Sequence, residues 1–297
     1  MSDQLTLDNP VDRYPSISPP KQHQEEPGLD RDLKPQTDHG ETTYRGTGRL
    51  EGRRALVTGA DSGIGAAVAI AFAREGADVA LSYLPSEEPD ARHIVELIEK
   101  EGRKAFAYPG DISQAQYCRE LVQASLEALG GLDIIVNNAG RQITQDRLED
   151  VSDEQWEDTF RANIFSMFWI TKAALPHLPP GSSIINTTSI QAYKPSPTLI
   201  DYATTKGAIN NFTKGLAEQL APRGIRVNAV APGPIWTPLQ PSHGQPKDKL
   251  PEFGKSTALG RAGQPVECAP AYVFLASAES SYVIGETLNV NGGMPSP

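Results

Sequence analysis

The stretch between residues 54 and 74 constrains the fold more than any other part of this chain. Residues 55–57 form a short apolar run that predicts a buried strand, and an Ala-rich stretch over 66–74 predicts a helix. The turn between them places Gly59, Gly63 and Gly65 in a G-x-x-x-G-x-G spacing. Glycines let the backbone approach an anion closely, and the free N–H groups of the helix N-terminus face it. The unit therefore predicts a phosphate-binding turn, although the commonest dinucleotide spacing is G-x-G-x-x-G.

Strands and helices continue to alternate along the chain. Further strands are predicted over 78–83, 104–108, 132–136, 182–188, 225–230 and 287–290, with helices over 89–101, 113–129, 152–177, 201–219 and 265–276. Strands that alternate with helices of this length predict a parallel sheet covered by helices on both faces. The predicted fold class is therefore α/β, a doubly wound Rossmann-type fold of three layers with a mainly seven-stranded parallel sheet.

The first 45 residues differ in composition from the rest of the chain. They are rich in Pro, Gln, Asp and Glu and show no strand or helix period, so they cannot bury enough apolar surface to fold alone. Two alternatives stay open: a disordered tail, or an extended arm that lies on its own domain or on a neighbouring subunit. The predicted division is an N-terminal arm over 1–45 and a single dinucleotide-binding domain over 46–297.

The charge and the apolar pattern exclude several classes of protein. A formal net charge of −10 over 297 residues, without any basic run, argues against a nucleic-acid partner. No apolar stretch reaches the roughly 18 residues of a membrane span, and the first residues lack the features of a signal peptide. Cys118 and Cys268 lie in predicted helices without metal-ligand spacing, which suits reduced thiols. We expect a cytoplasmic protein without a metal site or a membrane partner.

Two polar residues follow predicted strands directly. Asp111 comes after the strand over 104–108, and Asn138 comes after the strand over 132–136. Ligands of open parallel sheets bind outside the carboxyl ends of the strands, so both side chains are candidates for nucleotide contact. The structural alternatives are a helix-capping aspartate and a turn-forming asparagine.

Tyr202 and Lys206 are four residues apart in the helix predicted over 201–219, so their side chains share one helix face. A tyrosine hydroxyl titrates near ~10, and a neighbouring ammonium lowers its pKa by favouring the phenolate. Lowering the pKa by about three units takes roughly 4 kcal/mol, which the lysine and a positive charge on a cofactor could supply together. The pair is a candidate general acid/base for carbonyl chemistry. The alternative is an ordinary surface pair.

Three further features surround this pair in the sequence. Asn163 lies in the middle of the helix predicted over 152–177, where an amide among aromatic residues is either a core hydrogen bonder or a site residue. Ser189 follows the strand over 182–188. The Pro-rich stretch from 231 to about 263 is long for a loop inside a compact domain, which is typical of a lid over a site.

These features occur together in the order of a known family. From about Leu50 to Gly293 the chain resembles the single-domain branch of the short-chain dehydrogenase/reductase family. The N-terminal arm resembles that of a bacterial subgroup described as glucose/ribitol dehydrogenase-like or aldehyde reductase-like. The motifs that carry the resemblance are Thr58-Gly59-x-x-x-Gly63-Ile64-Gly65, Asp111, Asn137-Asn138-Ala139-Gly140, Asn163, Ser189, Tyr202-x-x-x-Lys206 and Pro232-Gly233.

The resemblance implies an oxidoreductase that transfers a hydride between NAD(P)(H) and a carbonyl or alcohol. It implies that Tyr202 is the acid/base, that Lys206 lowers its pKa and bonds the nicotinamide ribose, and that Asn163 holds a water on a proton path. Ser189, with Tyr202 and Gln191, would contact the substrate. The implied coenzyme-binding residues are Gly59, Asp61, Ser62, Gly63, Ile64, Gly65, Tyr83, Asp111, Ile112, Asn138, Ala139, Gly140, Tyr202, Lys206, Pro232, Gly233, Ile235 and Thr237.

The choice between NAD and NADP stays open. An acidic residue at the end of the second strand would favour NAD, but that strand ends Ser82-Tyr83. No Arg or Lys is there to bind a 2′-phosphate, and Asp61 in the glycine turn would repel one. Glu87 and Glu88 lie slightly further along the chain.

The substrate also stays open between a small aldehyde, a ketone and a sugar or polyol. The lid and a mixture of polar and aromatic residues are expected to flank the pocket, namely Gln142, Ile143, Gln191, Tyr193 and Trp236. One alternative is a 3-ketoacyl-carrier-protein reductase, which would dock its acidic carrier on Lys247, Lys249, Lys255 and Arg261. Another is a non-catalytic nucleotide-binding redox sensor, against which the presence of both Tyr202 and Lys206 argues. The resemblance further implies a homotetramer.

Overall fold

A computed structural model describes residues 3–294 of the chain. Its centre is a seven-stranded sheet in the order β3-β2-β1-β4-β5-β6-β7, in which all neighbouring strands are parallel. The predicted Rossmann-type α/β fold is therefore confirmed. The strands are β1 (Arg54–Thr58), β2 (Asp78–Tyr83), β3 (Ala105–Pro109), β4 (Ile134–Asn137), β5 (Ser183–Thr187), β6 (Arg226–Pro232) and β7 (Thr287–Val290).

Helices cover both faces of the sheet, which is why the central strands β1, β4 and β5 are buried along almost their whole length. Helices α1, α2 and α7 pack on one face, and α3, α5 and α6 pack on the other. Within residues 3–294, no helix has both the length and the apolar character needed to cross a bilayer. The helices are α1 (Gly63–Arg74), α2 (Glu88–Lys100), α3 (Ala115–Leu129), α4 (Asp153–Phe160), α5 (Ser166–Ala174), α6 (Ile200–Leu220) and α7 (Pro265–Ala276).

Most predicted boundaries agree with the structure to within a few residues. Those of β2, β7 and α7 are the same as predicted. Cys118 and Cys268 are buried free thiols in α3 and α7. The single helix predicted over 152–177 is wrong, because a π-helical turn over Arg161–Phe165 separates α4 from α5 and a 3-10 turn over Leu175–His177 follows α5.

The N-terminal arm packs along the surface of the domain and contributes buried residues to it. Tyr14 and Tyr44 join the core on the α1/α7 face, and Leu33 is fully buried beside Trp236. Backbone contacts hold the arm in place: the Trp236 indole donates to the Pro35 carbonyl at 2.9 Å, and the Val266 N–H donates to the Asp38 carbonyl at 3.0 Å. The arm therefore has its own hydrogen bonds to the sheet domain.

A buried carboxylate anchors the end of the arm. Glu75, directly after α1, is fully buried and accepts hydrogen bonds from the Tyr44 hydroxyl at 2.7 Å and the Thr47 N–H at 2.9 Å. The Arg49 guanidinium pairs with the same carboxylate at 2.7 Å. Burial alone would raise the pKa of Glu75, but the hydrogen bonds from Arg49 and its neighbours outweigh burial and hold it at about 2.

Replacement of Glu75 by glutamine is expected to lower the free energy of unfolding by about 3 kcal/mol at pH 7, because it removes the buried partner of the Arg49 charge and leaves only the exposed Glu279, 3.6 Å away. The depressed pKa of Glu75 means that this stabilisation is complete above the ordinary value of 4.5 and is lost as the pH falls toward about 2. Urea unfolding at pH 7 and pH 3 measures the difference, with the exposed Glu154→Gln as control. A loss as large at pH 3 as at pH 7 would contradict this account.

Candidate active site

Tyr202 and Lys206 lie on one face of α6, as the four-residue spacing predicted. Both residues are buried, with 8% and 3% of their surface exposed. The Lys206 amine lies 5.2 Å from the centre of the Tyr202 ring and donates to the Thr187 carbonyl at 2.9 Å. Thr187 is the last residue of β5, so the carboxyl end of the sheet fixes the position of the lysine.

Burial governs the ionisation of this pair. It raises the pKa of Tyr202 to about 12, an effect that the Ser189 hydroxyl partly offsets by hydrogen bonding. It lowers the pKa of Lys206 to about 7. The sequence predicted that Lys206 would lower the tyrosine pKa. Among the protein's own groups burial therefore sets the pKa of Tyr202, and the combined effect of Lys206 and a positive cofactor charge stays a prediction.

Asp201, at the start of α6, joins this helix to α4. Its carboxylate accepts hydrogen bonds from the Gln155 side chain at 3.0 Å, the Thr159 hydroxyl at 2.9 Å and the Tyr202 N–H at 2.8 Å. Gln155 also serves the start of α4, where its N–H donates to the Ser152 hydroxyl at 3.0 Å. These bonds fix the rotation of α6 and thereby turn Tyr202 toward the sheet edge.

Asn163 occupies the π-helical turn between α4 and α5. Its oxygen accepts from the Arg141 N–H at 2.7 Å, and its NH₂ group donates to the Arg141 carbonyl and the Thr205 hydroxyl at 3.0 Å each. Through these bonds the amide holds the segment after Gly140 against α6, and a site role for Asn163 stays a prediction. Single π turns of this kind occur frequently at functional sites.

The turn between β1 and α1 has the shape that a phosphate group requires. A Cβ atom on Gly65 would lie 1.9 Å from the Gly59 carbonyl oxygen and 2.6 Å from the Asn138 amide nitrogen, so only glycine fits there. Gly59 and Gly63 have φ values of 60° and 50°, in the left-handed region. The Ser62 side chain does not cap the first turn of α1, which leaves its N–H groups for an anion. The turn therefore fits the pyrophosphate of a dinucleotide.

One cavity of about 650 Å³, a volume typical of small-molecule and cofactor sites, brings the glycine turn and the Tyr202 region together. Asp111 lines it, and its carboxylate accepts from the Ser113 N–H at 2.8 Å in the turn before α3. The predicted residues that line this cavity are Gly59, Asp61, Ser62, Gly63, Ile64, Tyr83, Asp111, Ile112, Asn138, Ala139, Gly140, Gln142, Ser189, Gln191, Tyr202, Lys206, Pro232, Gly233, Ile235 and Thr237.

Several predicted pocket residues lie elsewhere. Trp236 is fully buried away from the cavity, because the arm covers it and Leu33 and Leu250 pack around it. The prediction that Trp236 flanks the pocket is therefore wrong. Ile143 and Tyr193, which were also predicted to flank the pocket, are not among the described residues that line the cavity. Gly65 and Asn163 do not line the cavity but support residues that do. Gly65 allows the tight glycine turn, and Asn163 holds the backbone of Arg141.

The coenzyme end of the cavity is acidic. Asp61 and Glu87 line it and are buried, with 3% and 8% of their surface exposed. Among the described residues, Oδ2 of Asp61 has no hydrogen-bond partner. Burial raises the pKa of Asp61, and burial together with repulsion from Asp61 raises the pKa of Glu87. A buried carboxylate oxygen without a partner suits a hydroxyl donor, such as one on a ribose.

A charged group at the cavity wall was missed by sequence reasoning. The Glu26 carboxylate of the arm forms two 3.1 Å hydrogen bonds with the Arg141 guanidinium, which also lies 3.4 Å from Asp158. All three residues line the cavity. Glu26 and Arg141 are 115 residues apart, and no local pattern in the arm indicates the pairing.

Comparison with known proteins agrees with this site. The family model described as enoyl-(acyl carrier protein) reductase matches residues 59–295. The uncharacterized oxidoreductase YhxD of Bacillus subtilis is 56% identical over 99% of both chains, and glucose and ribitol dehydrogenase of Daucus carota is 44% identical over 93% of this chain and 96% of its own. A short-chain dehydrogenase of Burkholderia cenocepacia, solved with NADP, is 37% identical with a TM-score of 0.77, over 82% of this chain and 98% of that one. The chain belongs to the short-chain dehydrogenase/reductase family and is an NAD(P)-dependent oxidoreductase.

Proposed function

We propose that this protein interconverts an uncharged carbonyl compound and its alcohol, with Tyr202 as the acid/base. One observation carries the proposal: Ser189, Tyr202 and Lys206 line the same cavity as the glycine turn. The dinucleotide supplies or accepts the hydride when it is bound. The chain itself must bind and orient the substrate and move one proton to or from the substrate oxygen.

The proton step follows from the side chains at the carboxyl end of β5. The Tyr202 hydroxyl would donate its proton to the carbonyl oxygen, and the Ser189 hydroxyl would bond the same oxygen as negative charge develops on it. Lys206, held by the Thr187 carbonyl at 2.9 Å, would return a proton to Tyr202. Asn163 would position the Arg141 backbone and use its remaining lone pair for a water on the proton path.

The pKa of about 12 for Tyr202 supports the direction of reduction. A tyrosine with this pKa is protonated at neutral pH and can act as an acid without a further change. Oxidation of an alcohol needs the phenolate, whose fraction rises with pH. We therefore propose that the rate of alcohol oxidation rises with pH, whereas carbonyl reduction uses the protonated form that predominates near pH 7.

The wall near Arg141 supports an uncharged, polar substrate. Side-chain amides of Gln142, Gln191, Gln240 and Gln245 line the cavity. The Arg141 charge is balanced by Glu26 and Asp158, so it is not available to attract an anionic substrate. An amide-rich, charge-balanced wall suits a sugar, a polyol or a small aldehyde or ketone. The Daucus carota relative, named for glucose and ribitol, is consistent with this class.

A second candidate is a reductase of carrier-bound 3-ketoacyl groups, since the description of the matching family model names an acyl-carrier-protein substrate, although one with an enoyl group in place of the keto group. Two residues of the predicted basic docking patch argue against it, whereas Lys247 and Lys249 are exposed. Arg261 is buried, with 3% of its surface exposed, and pairs with Glu267 at 2.7 Å. Lys255 pairs with Glu252 at 3.0 Å. A non-catalytic redox sensor would have no need for the buried, hydrogen-bonded Lys206 beside Tyr202.

We further propose that the protein works in the cytoplasm as a homotetramer. Trp156, Phe165 and Phe168 lie on the α4–α5 segment with 36%, 42% and 44% of their surface exposed. A group of large exposed aromatic side chains supports self-association through this segment.

Replacement of Tyr202 by phenylalanine is expected to reduce kcat/KM for carbonyl reduction about 10³-fold, because the proton donor is lost. Coenzyme binding, followed by fluorescence titration, should change little. A panel of aldehydes, ketones and sugars, with oxidation of the reduced coenzyme as readout, measures activity. Tyr193→Phe is the control, since Tyr193 lies outside the cavity wall. Retention of full activity by Tyr202→Phe would exclude this mechanism.

Replacement of Glu26 by glutamine is expected to make Arg141 available to anionic substrates. The KM for 2-oxo acids or sugar phosphates should fall about tenfold, which corresponds to roughly 1.4 kcal/mol, while the KM for neutral aldehydes changes little. Asp32→Asn, which removes an exposed carboxylate of the same arm, is the control. An equal change for neutral and anionic substrates would mean that Glu26 acts on structure and not on charge selection.

Ionisation of Asp61 and Glu87 is expected to make coenzyme choice depend on pH. Their raised pKa values mean that the pair loses a proton as the pH rises from 6 to 9, which increases repulsion of a 2′-phosphate. The ratio of KM for NADPH to KM for NADH should therefore rise several-fold over this range. In Asp61→Asn this ratio should rise less. Part of the rise should remain, because the 2′-phosphate of NADPH also gains negative charge over this pH range. An unchanged pH profile in Asp61→Asn would rule out this cause.

A further inference from the structure

The arm and the loop after β6 meet at the rim of the cavity. The Gln24 N–H donates to the Pro241 carbonyl at 3.2 Å, and the Ser242 hydroxyl donates to the Pro27 carbonyl at 3.1 Å. These bonds lie on either side of a short region in which residues 24–27 of the arm face residues 241–243 of the loop. These two hydrogen bonds therefore fix the two segments relative to each other.

Three metal-ligating side chains come together in this region. The ligand atoms of His23, Glu25 and His243 all lie within 4.8 Å of one another. His23 Nε2 lies 3.4 Å from Glu25 Oε1, and the two imidazole rings meet edge to face with their centres 4.8 Å apart. Ligands at about 2.0–2.1 Å from a tetrahedral zinc ion are roughly 3.4 Å apart, so the His23–Glu25 distance already fits one edge of such a site.

The backbone at His243 gives a second, independent observation. Within residues 3–294, His243 is the one non-glycine residue with a positive φ, at 71° with ψ −7°. A residue with a Cβ atom is strained in this region, whereas glycine adopts it freely. A strained residue next to two other ligands points to a use for its side chain.

We propose that His23, Glu25 and His243 bind one divalent transition-metal ion, for which Zn²⁺ is the probe, and that the ion fastens the N-terminal arm to the loop. Two imidazoles and a carboxylate are a donor set that zinc accepts, with water as the fourth ligand. A surface ion pair between His23 and Glu25 is the simpler explanation of their contact. It gives no reason for an imidazole at position 243, where glycine would fit the backbone better.

The ion has a structural role in this proposal. His23, Glu25 and His243 are not among the described residues that line the cavity. The ion therefore takes no part in the hydride or proton steps. Glu26 and Ser242, which adjoin two of the ligands, do line the cavity. Metal binding would therefore hold the arm and the loop together at the substrate side of the site.

The test uses the full-length chain without an affinity tag. Isothermal titration with ZnCl₂ and thermal unfolding with Zn²⁺ or with EDTA are compared for the wild type, His243→Gly, His23→Gln and His177→Gln. His177 is an exposed histidine outside the cluster and serves as the matched control. Glycine suits the backbone at position 243, so His243→Gly removes a ligand without disturbing the fold.

The wild type and His177→Gln are expected to bind one Zn²⁺ per chain and to unfold several degrees higher with Zn²⁺ than with EDTA. His243→Gly and His23→Gln should bind at least about tenfold more weakly and lose this shift. In EDTA, His243→Gly should unfold at the same temperature as the wild type or higher, because backbone strain is relieved. Equal Zn²⁺ binding by the wild type and both cluster variants would overturn the proposal.

Discussion

The position of the Lys206 amine rests on one buried hydrogen bond, and the rest of the site is arranged around it. The amine donates to the Thr187 carbonyl at the end of β5, and the Thr188 hydroxyl returns a bond to the Lys206 carbonyl at 2.8 Å. A buried amine needs such a partner, because burial without one is costly. The two bonds fix both the height and the rotation of α6 against the sheet. Tyr202, one helical turn earlier, is thereby placed at the same strand end as Ser189.

The walls of the site come from segments far apart in the chain. The sheet supplies the strand ends, α6 supplies the proton-transfer pair, and the π-helical turn at Asn163 fixes the segment after Gly140. The N-terminal arm adds the Glu26 carboxylate, and the loop after β6 adds Gln240 and Ser242. The residues proposed for proton transfer are thus held by the sheet and α6. The surfaces that meet a substrate come from the arm and the loop, which have their own contacts with each other.

The sequence predicted the parts of this structure that depend on local patterns. The apolar run of β2 and the apolar face of α7 set their boundaries, and the glycine spacing indicated the phosphate turn because only glycine fits at positions 59 and 65. The π-helical turn has no such local signal, and Asn163 within it bonds to Arg141, 22 residues earlier in the chain. The buried position of Trp236 and the pairing of Glu26 with Arg141 depend on where the arm runs. The arm has no strand or helix period of apolar residues, so its sequence does not indicate that path.

The distribution of charge along the cavity explains how a chain with a net charge of −10 can bind an anionic dinucleotide. Among the residues that line the cavity, the basic ones are Arg141, which is balanced by carboxylates, and Lys206, which is held at the strand end. The glycine turn itself contributes the acidic Asp61. Attraction for the pyrophosphate must therefore come from the uncapped N–H groups and the dipole of α1. Because these backbone groups carry no titratable charge, the response of coenzyme binding to pH falls on the side chains around them, namely the carboxyl pair of Asp61 and Glu87 and the Lys206 amine, and on the 2′-phosphate of NADP itself.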